Sequence, residues 1–68
     1  MTILKVLELM THSDKGWEDA AQKAVSKAAE SVKDIKSVWV QDFSATVGND
    51  GKIKDYRVTC KVTFEVKD

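Results

Sequence analysis

From Trp17 onward the apolar residues fall at 17, 20, 21, 24, 25, 28, 29, 32 and 35, the i, i+3, i+4, i+7 stripe of an amphipathic helix. Before it, Ile3 to Met10 is an apolar run of strand length broken by Lys5 and Glu8, and the polar stretch Thr11-His12-Ser13-Asp14-Lys15-Gly16 reads as a loop. Gly16 is the expected N-cap, and Glu18 and Asp19 place negative charge where the helix dipole favours it. Alanines 20, 21, 24, 28 and 29 surround Val25 and Val32, so little side-chain volume separates this helix from its neighbour, which predicts close packing on a sheet. After the helix, Ser37 to Val47 reads as a second strand. Gly48-Asn49-Asp50-Gly51 supplies residues that tolerate positive φ and predicts a tight reversal. Tyr56, Val58, Cys60, Val62, Phe64 and Val66 then alternate with Arg57, Thr59, Lys61, Thr63 and Glu65, the pattern of a strand with one buried and one polar face. With no proline, linker, repeat or low-complexity stretch, the order β-α-β-β predicts one α+β domain over residues 1–68.

Strand alternation raises a problem on the second strand. It places Val38 and Val40 on one face and Trp39, Phe43, Ala45 and Val47 on the other, and only one of those faces can meet the chain's own core. The leftover rings imply a partner subunit or a flat ligand. Length points the same way, because at about 60 residues folding buries only roughly 60% of the unfolded chain's surface. The single cysteine, Cys60, makes no internal disulfide, and with the single histidine, His12, it makes no zinc site of ordinary spacing. Oligomerisation is the remaining way to stabilise so small a domain.

Charge narrows the partners. Eleven basic residues balance eleven acidic ones and form no basic stripe, which argues against nucleic acid. No apolar run approaches the ~20 residues of a membrane span, and Met1 to Val6 lacks a charged region ahead of an apolar stretch. A cytoplasmic location is expected, and a free Cys60 fits a reducing compartment. Cys60 among Val58 and Val62 reads as an inert small hydrophobe, His12 as solvated, and Trp17 and Tyr56 as packing residues, which leaves no catalytic set and predicts a protein that is not an enzyme. Asp34, Asp42, Asn49, Asp50 and Asp55 offer oxygens, but no EF-hand loop occurs. In a symmetric assembly, one carboxylate per subunit becomes a ring that could trap calcium or magnesium at an axis. No particular residue is singled out for that metal role.

The stretches Lys5-Val6-Leu7-Glu8-Leu9, Trp17-Glu18-Asp19-Ala20-Ala21 with Ala28, Asp55-Tyr56-Arg57-Val58 and Lys61-Val62-Thr63-Phe64-Glu65-Val66 together resemble the dodecin family. The resemblance implies a three-stranded antiparallel sheet partly wrapped around one helix, and a homododecamer forming a hollow sphere. It also implies storage of flavin, riboflavin or FMN, stacked on tryptophan. Family members with flavin sites carry a tryptophan at the start of the second strand and a glutamine after the tyrosine of the third. An ungapped alignment puts Ser37 and Arg57 at those positions. A branch called calcium dodecin also lacks the stacking tryptophan, and the composition here resembles that branch as well. Trp39, two residues beyond Ser37 and about 6.5 Å along the strand, offers a shifted platform, with Ser37, Gln41 and Arg57 as polar neighbours. Packing of Trp39 in a subunit interface is the competing role. A flavin-free dodecamer that binds a metal ion, coenzyme A or no small ligand is the alternative function.

Overall fold

The computed structural model describes residues 2–67 and contains β1 (Ile3–Ser13), α1 (Trp17–Ala29), β2 (Ile35–Val47) and β3 (Ile53–Val66). Residues 1 and 68, the ends of the expected domain, lie outside the described residues. The strands form one antiparallel sheet in the order β1-β3-β2, with α1 against one face. The architecture is therefore the α+β arrangement expected from the sequence, with β3 central and two edge strands.

The core is small because the helix that covers it is made of small residues. Ala20, Ala24 and Ala28, spaced one helical turn apart, are buried, and the first two cluster with Val58 and Cys60 of β3, flanked by Leu9, Ala21 and Val40. Alanine brings the helix backbone close to the sheet and costs no rotamer entropy. Burial pushes the Cys60 thiol above its ordinary pKa, so it behaves as a packed apolar group.

β1 continues through Thr11, His12 and Ser13, where the sequence suggested a loop. These polar residues bind the strand to the start of the helix. The Thr11 hydroxyl donates to the Ala20 carbonyl at 2.6 Å. The Ser13 hydroxyl donates to the Asp19 carboxylate at 2.5 Å and accepts the Lys15 N–H at 3.0 Å. Gly16 caps the helix without a side chain, and its carbonyl accepts the Ala20 N–H at 3.1 Å.

The far end of α1 also differs from the apolar spacing, because Val32 and Ile35 fall outside the helix. The Glu30 N–H bonds the Lys27 carbonyl, tightening the last turn. Asp34 then takes a left-handed conformation at φ 60°, and its carbonyl accepts the Glu65 N–H at 3.0 Å, which launches β2 with Ile35 opposite Phe64. At the other end of β2, the predicted reversal is present. The Gly51 N–H bonds the Gly48 carbonyl, Gly51 sits at φ 80°, and the Asp50 carboxylate accepts the Lys52 N–H.

A β-bulge at Gln41 overturns one expectation. Val40 opposes Cys60, Asp42 opposes Thr59, and Gln41 has no opposite number. The alternation therefore slips by one, so Phe43 and Ala45, opposite Val58 and Tyr56, lie on the helix side and do not share a face with Trp39. The ring geometry agrees. Trp17 meets Phe43 edge-on at 5.9 Å and Tyr56 at 4.8 Å between centroids, while its indole N–H donates to the Ser44 carbonyl at 3.1 Å.

The chain is extended for its size. Its axes measure 53 × 19 × 13 Å and its radius of gyration 14.1 Å, against about 11 Å for a compact domain of this length. Its 5143 Å² of accessible surface exceeds the roughly 4,300 Å² of a folded monomer of this mass.

Two outcomes follow for stability. Ala24→Leu forces a larger side chain between helix and sheet at a site with no exposure, and urea unfolding at fixed protein concentration should show a loss of about 1–3 kcal/mol. The Ser13 hydroxyl holds the Asp19 carboxyl below its ordinary pKa, opposed by partial desolvation and assisted by Lys23. Since the folded value lies below the unfolded one, this contact stabilises the fold above the unfolded pKa and is lost as pH falls through the folded value. Ser13→Ala should raise the Asp19 pKa in an NMR titration and remove that part of the acid dependence.

Candidate binding face

The sheet face opposite α1 follows directly from the register. Across β1, β3 and β2, its rows read Val6–Thr63–Ser37, Glu8–Lys61–Trp39, Met10–Thr59–Asp42 and His12–Arg57–Ser44. Each row brings side chains from three strands to one side, with directly opposed Cβ atoms about 4.5–5.5 Å apart. Trp39 is 68% exposed and Met10 70% exposed, and Leu4 and Val6 are also exposed on this side. β3 supplies a polar stripe of Thr63, Lys61, Thr59 and Arg57 between the apolar positions of β1 and the ring of β2. An open face with this much apolar surface is unusual for a small soluble monomer.

Trp39 stands over a shallow depression bordered by Val6, Gln41, Lys61 and Thr63. The bulge is the local reason that Gln41 belongs there, since an inserted residue re-aims its side chain at the sheet edge. The amide of Gln41 and the hydroxyl of Thr63 each offer both donor and acceptor, Lys61 offers a cation, and Trp39 offers a ring face. Ser37 lies on the same face opposite Thr63, one row from Trp39.

Arg57 is on this face but apart from the ring. It opposes Ser44, four residues along β3 from Lys61 and about 13 Å away, and borders a separate depression with Asp14, Thr46, Asn49, Lys54 and Asp55. Beside it His12 meets the Asp55 carboxylate at 3.1 Å. Within one protomer, the structure thus brings Trp39, Gln41 and Ser37 together and leaves Arg57 outside that group.

Lys61 and Thr63 went unnoticed in the sequence as neighbours of Trp39. Their alternation marked them as a polar face, but pairing them with Trp39 requires the register of β2 against β3. That register is irregular at three places: between Ile35 and Ser37, Val40 and Asp42, and Thr46 and Val47. The oxygen-bearing candidates for a cation are scattered. Asp50 is engaged in the turn, Asp55 with His12, and Asp34 lies 3.8 Å from the Lys67 ammonium. Among the described residues, no group of three or more His, Cys, Asp or Glu side chains converges as a metal site. Among the described residues, no helix is long and apolar enough to cross a membrane.

Comparison with known proteins gives a consistent family. The dodecin family model matches residues 3–67. The chain is 36% identical over 67 residues to calcium dodecin of Mycobacterium tuberculosis, covering 98% of this chain and 93% of that protein. It is 29% identical over 66 residues to dodecin of Thermus thermophilus, covering 97% and 94%. Among solved structures, a T. thermophilus dodecin variant superposes with a TM-score of 0.91 at 28% identity over 100% of both chains. The M. tuberculosis calcium dodecin, described as calcium-chelating with a novel calcium-binding site, superposes with a TM-score of 0.80 at 35% identity over 96% of this chain and 91% of that one.

Proposed function

The chain belongs to the dodecin family, and from that membership we propose that it is a non-enzymatic, cytoplasmic storage protein. It works as a homododecamer that sequesters a flavin, riboflavin or FMN, by stacking the isoalloxazine on Trp39. The observation that carries this proposal is the exposed Trp39 ring, set on the face that α1 leaves uncovered and bordered by hydrogen-bonding side chains. A flat, amphipathic heterocycle matches that surface. Its face meets the indole, and its carbonyl and ring nitrogens meet Gln41 and Thr63, with Ser37 one row away. Arg57, far from Trp39 in the same protomer, takes part only where another subunit brings it to a neighbouring ring.

A second reading is favoured by the 36% identity to a calcium dodecin. Here the assembly holds a divalent cation between subunits, because among the described residues the carboxylates of one protomer do not converge. The two functions occupy different places: a ring face for flavin, a junction of several copies for the cation.

Light scattering should give a particle near twelve times 7.6 kDa, and a stable monomer would overturn the assembly. Wild-type protein should quench FMN or riboflavin fluorescence. Trp39→Ala should weaken binding about tenfold, as expected for loss of a stacking anchor. Unchanged flavin fluorescence in wild type, with calorimetric heat on calcium addition that is lost in chelator, would transfer the function to the second reading.

A further inference from the structure

Lys61 is the immediate cross-strand partner of Trp39. It is exposed, borders the same depression as the ring, and lies within 4.0 Å of no carboxylate among the described residues. Lys5, Lys15, Lys33, Lys52 and Lys54 share that lack of a partner among the described residues, but of these lysines Lys61 is the one that borders the Trp39 depression. Glu8 opposes Lys61 from β1 on the same face without closing an ion pair. A cation on a flexible stem therefore stands beside an exposed aromatic platform, with Gln41 and Thr63 at the platform's border.

We propose that Lys61 makes this site selective for a phosphorylated planar ligand over its neutral counterpart. The proposal rests on the flavin reading above and says which flavin is retained. A phosphomonoester carries close to two negative charges at neutral pH, and lysine acts on phosphate as a mobile point charge. Stacking orients the ring on Trp39, Gln41 and Thr63 meet the ring's polar edge, and the phosphate-bearing chain extends toward the Lys61 ammonium. Riboflavin has the same ring and no anion, so it gains only the first two contacts. Lys27, an exposed cation on α1 paired with Glu30 and on the other side of the sheet, is the control.

The test is the ratio of FMN to riboflavin affinity, measured by fluorescence quenching on the intact assembly at low and high salt. Wild type should prefer FMN about five- to tenfold at low ionic strength, and the preference should shrink at ~0.5 M salt as screening shortens to a few Å. Lys61→Gln should bring the ratio close to one, Lys61→Arg should keep it, and the control Lys27→Gln should keep it. A wild-type ratio near one, a ratio unchanged in Lys61→Gln, or one lost equally in Lys27→Gln overturns the assignment. If Lys61→Gln does not assemble, wild type and Lys61→Arg decide: a salt-dependent ratio in both supports the assignment, and a salt-independent one overturns it. Binding of neither flavin removes the flavin reading and this assignment with it. Binding of both with equal affinity removes only this assignment.

Discussion

One helix too short for its sheet sets the terms for everything else in this chain. α1 has 13 residues and is about 20 Å long, while β3 has 14 residues and spans roughly 46 Å. A helix of that length covers the middle of one face, and the core is correspondingly limited to three alanines and Val58, Cys60 and Val62. The ends of the covered face stay open, and even Phe43, on the helix side and in contact with Trp17, is 64% exposed. The opposite face has no cover at all. A protomer built this way has only a small core of its own, and the excess surface that it exposes is what a closed shell of copies would bury.

Much of this was legible in the sequence. The alanine stripe from Ala20 to Ala28 announced both the helix and its close approach, and the unbroken alternation from Tyr56 to Val66 announced the central strand. Both signals are periodic, and period is what a chain carries on its face. The errors arose where a non-periodic interaction prevails. Thr11, His12 and Ser13 looked like loop because they are polar, yet Thr11 and Ser13 bond the helix start and so extend β1. Val32 and Ile35 kept the helical spacing, but the turn at Asp34 removes them from the helix.

The bulge at Gln41 is the most consequential of these, since one extra residue reverses every side chain beyond it. Counting by twos from Trp39 puts Phe43 on the outer face, whereas the bulge sends it to Trp17 and the helix. The outer ring at β2 is therefore Trp39 alone. The site became simpler and more specific at once, as the supposed ring pair was replaced by a ring with Gln41, Lys61 and Thr63 around it. No local propensity marks Gln41 as the inserted residue, and only pairing with β3 reveals it.

In the proposed function, assembly and ligand binding draw on the same uncovered face, which would link their energetics. Leu4, Val6 and Met10 on β1 are exposed apolar positions that a flavin on Trp39 would cover only in part, so they call for protein contact. Trp39 is separated from them by the polar stripe of β3 and has polar neighbours of its own. If the β1 residues are buried between copies and Trp39 remains at a junction, a ligand there binds the assembled state and not the free protomer. Its binding then stabilises the assembly by mass action, in proportion to how far its concentration exceeds its dissociation constant. The converse also holds: a shell that forms without ligand pre-organises the ring and its neighbours, and lowers the entropy that the ligand must overcome. A sheet face too large for its helix would thus become a binding surface if copies of the chain leave Trp39 at their margin.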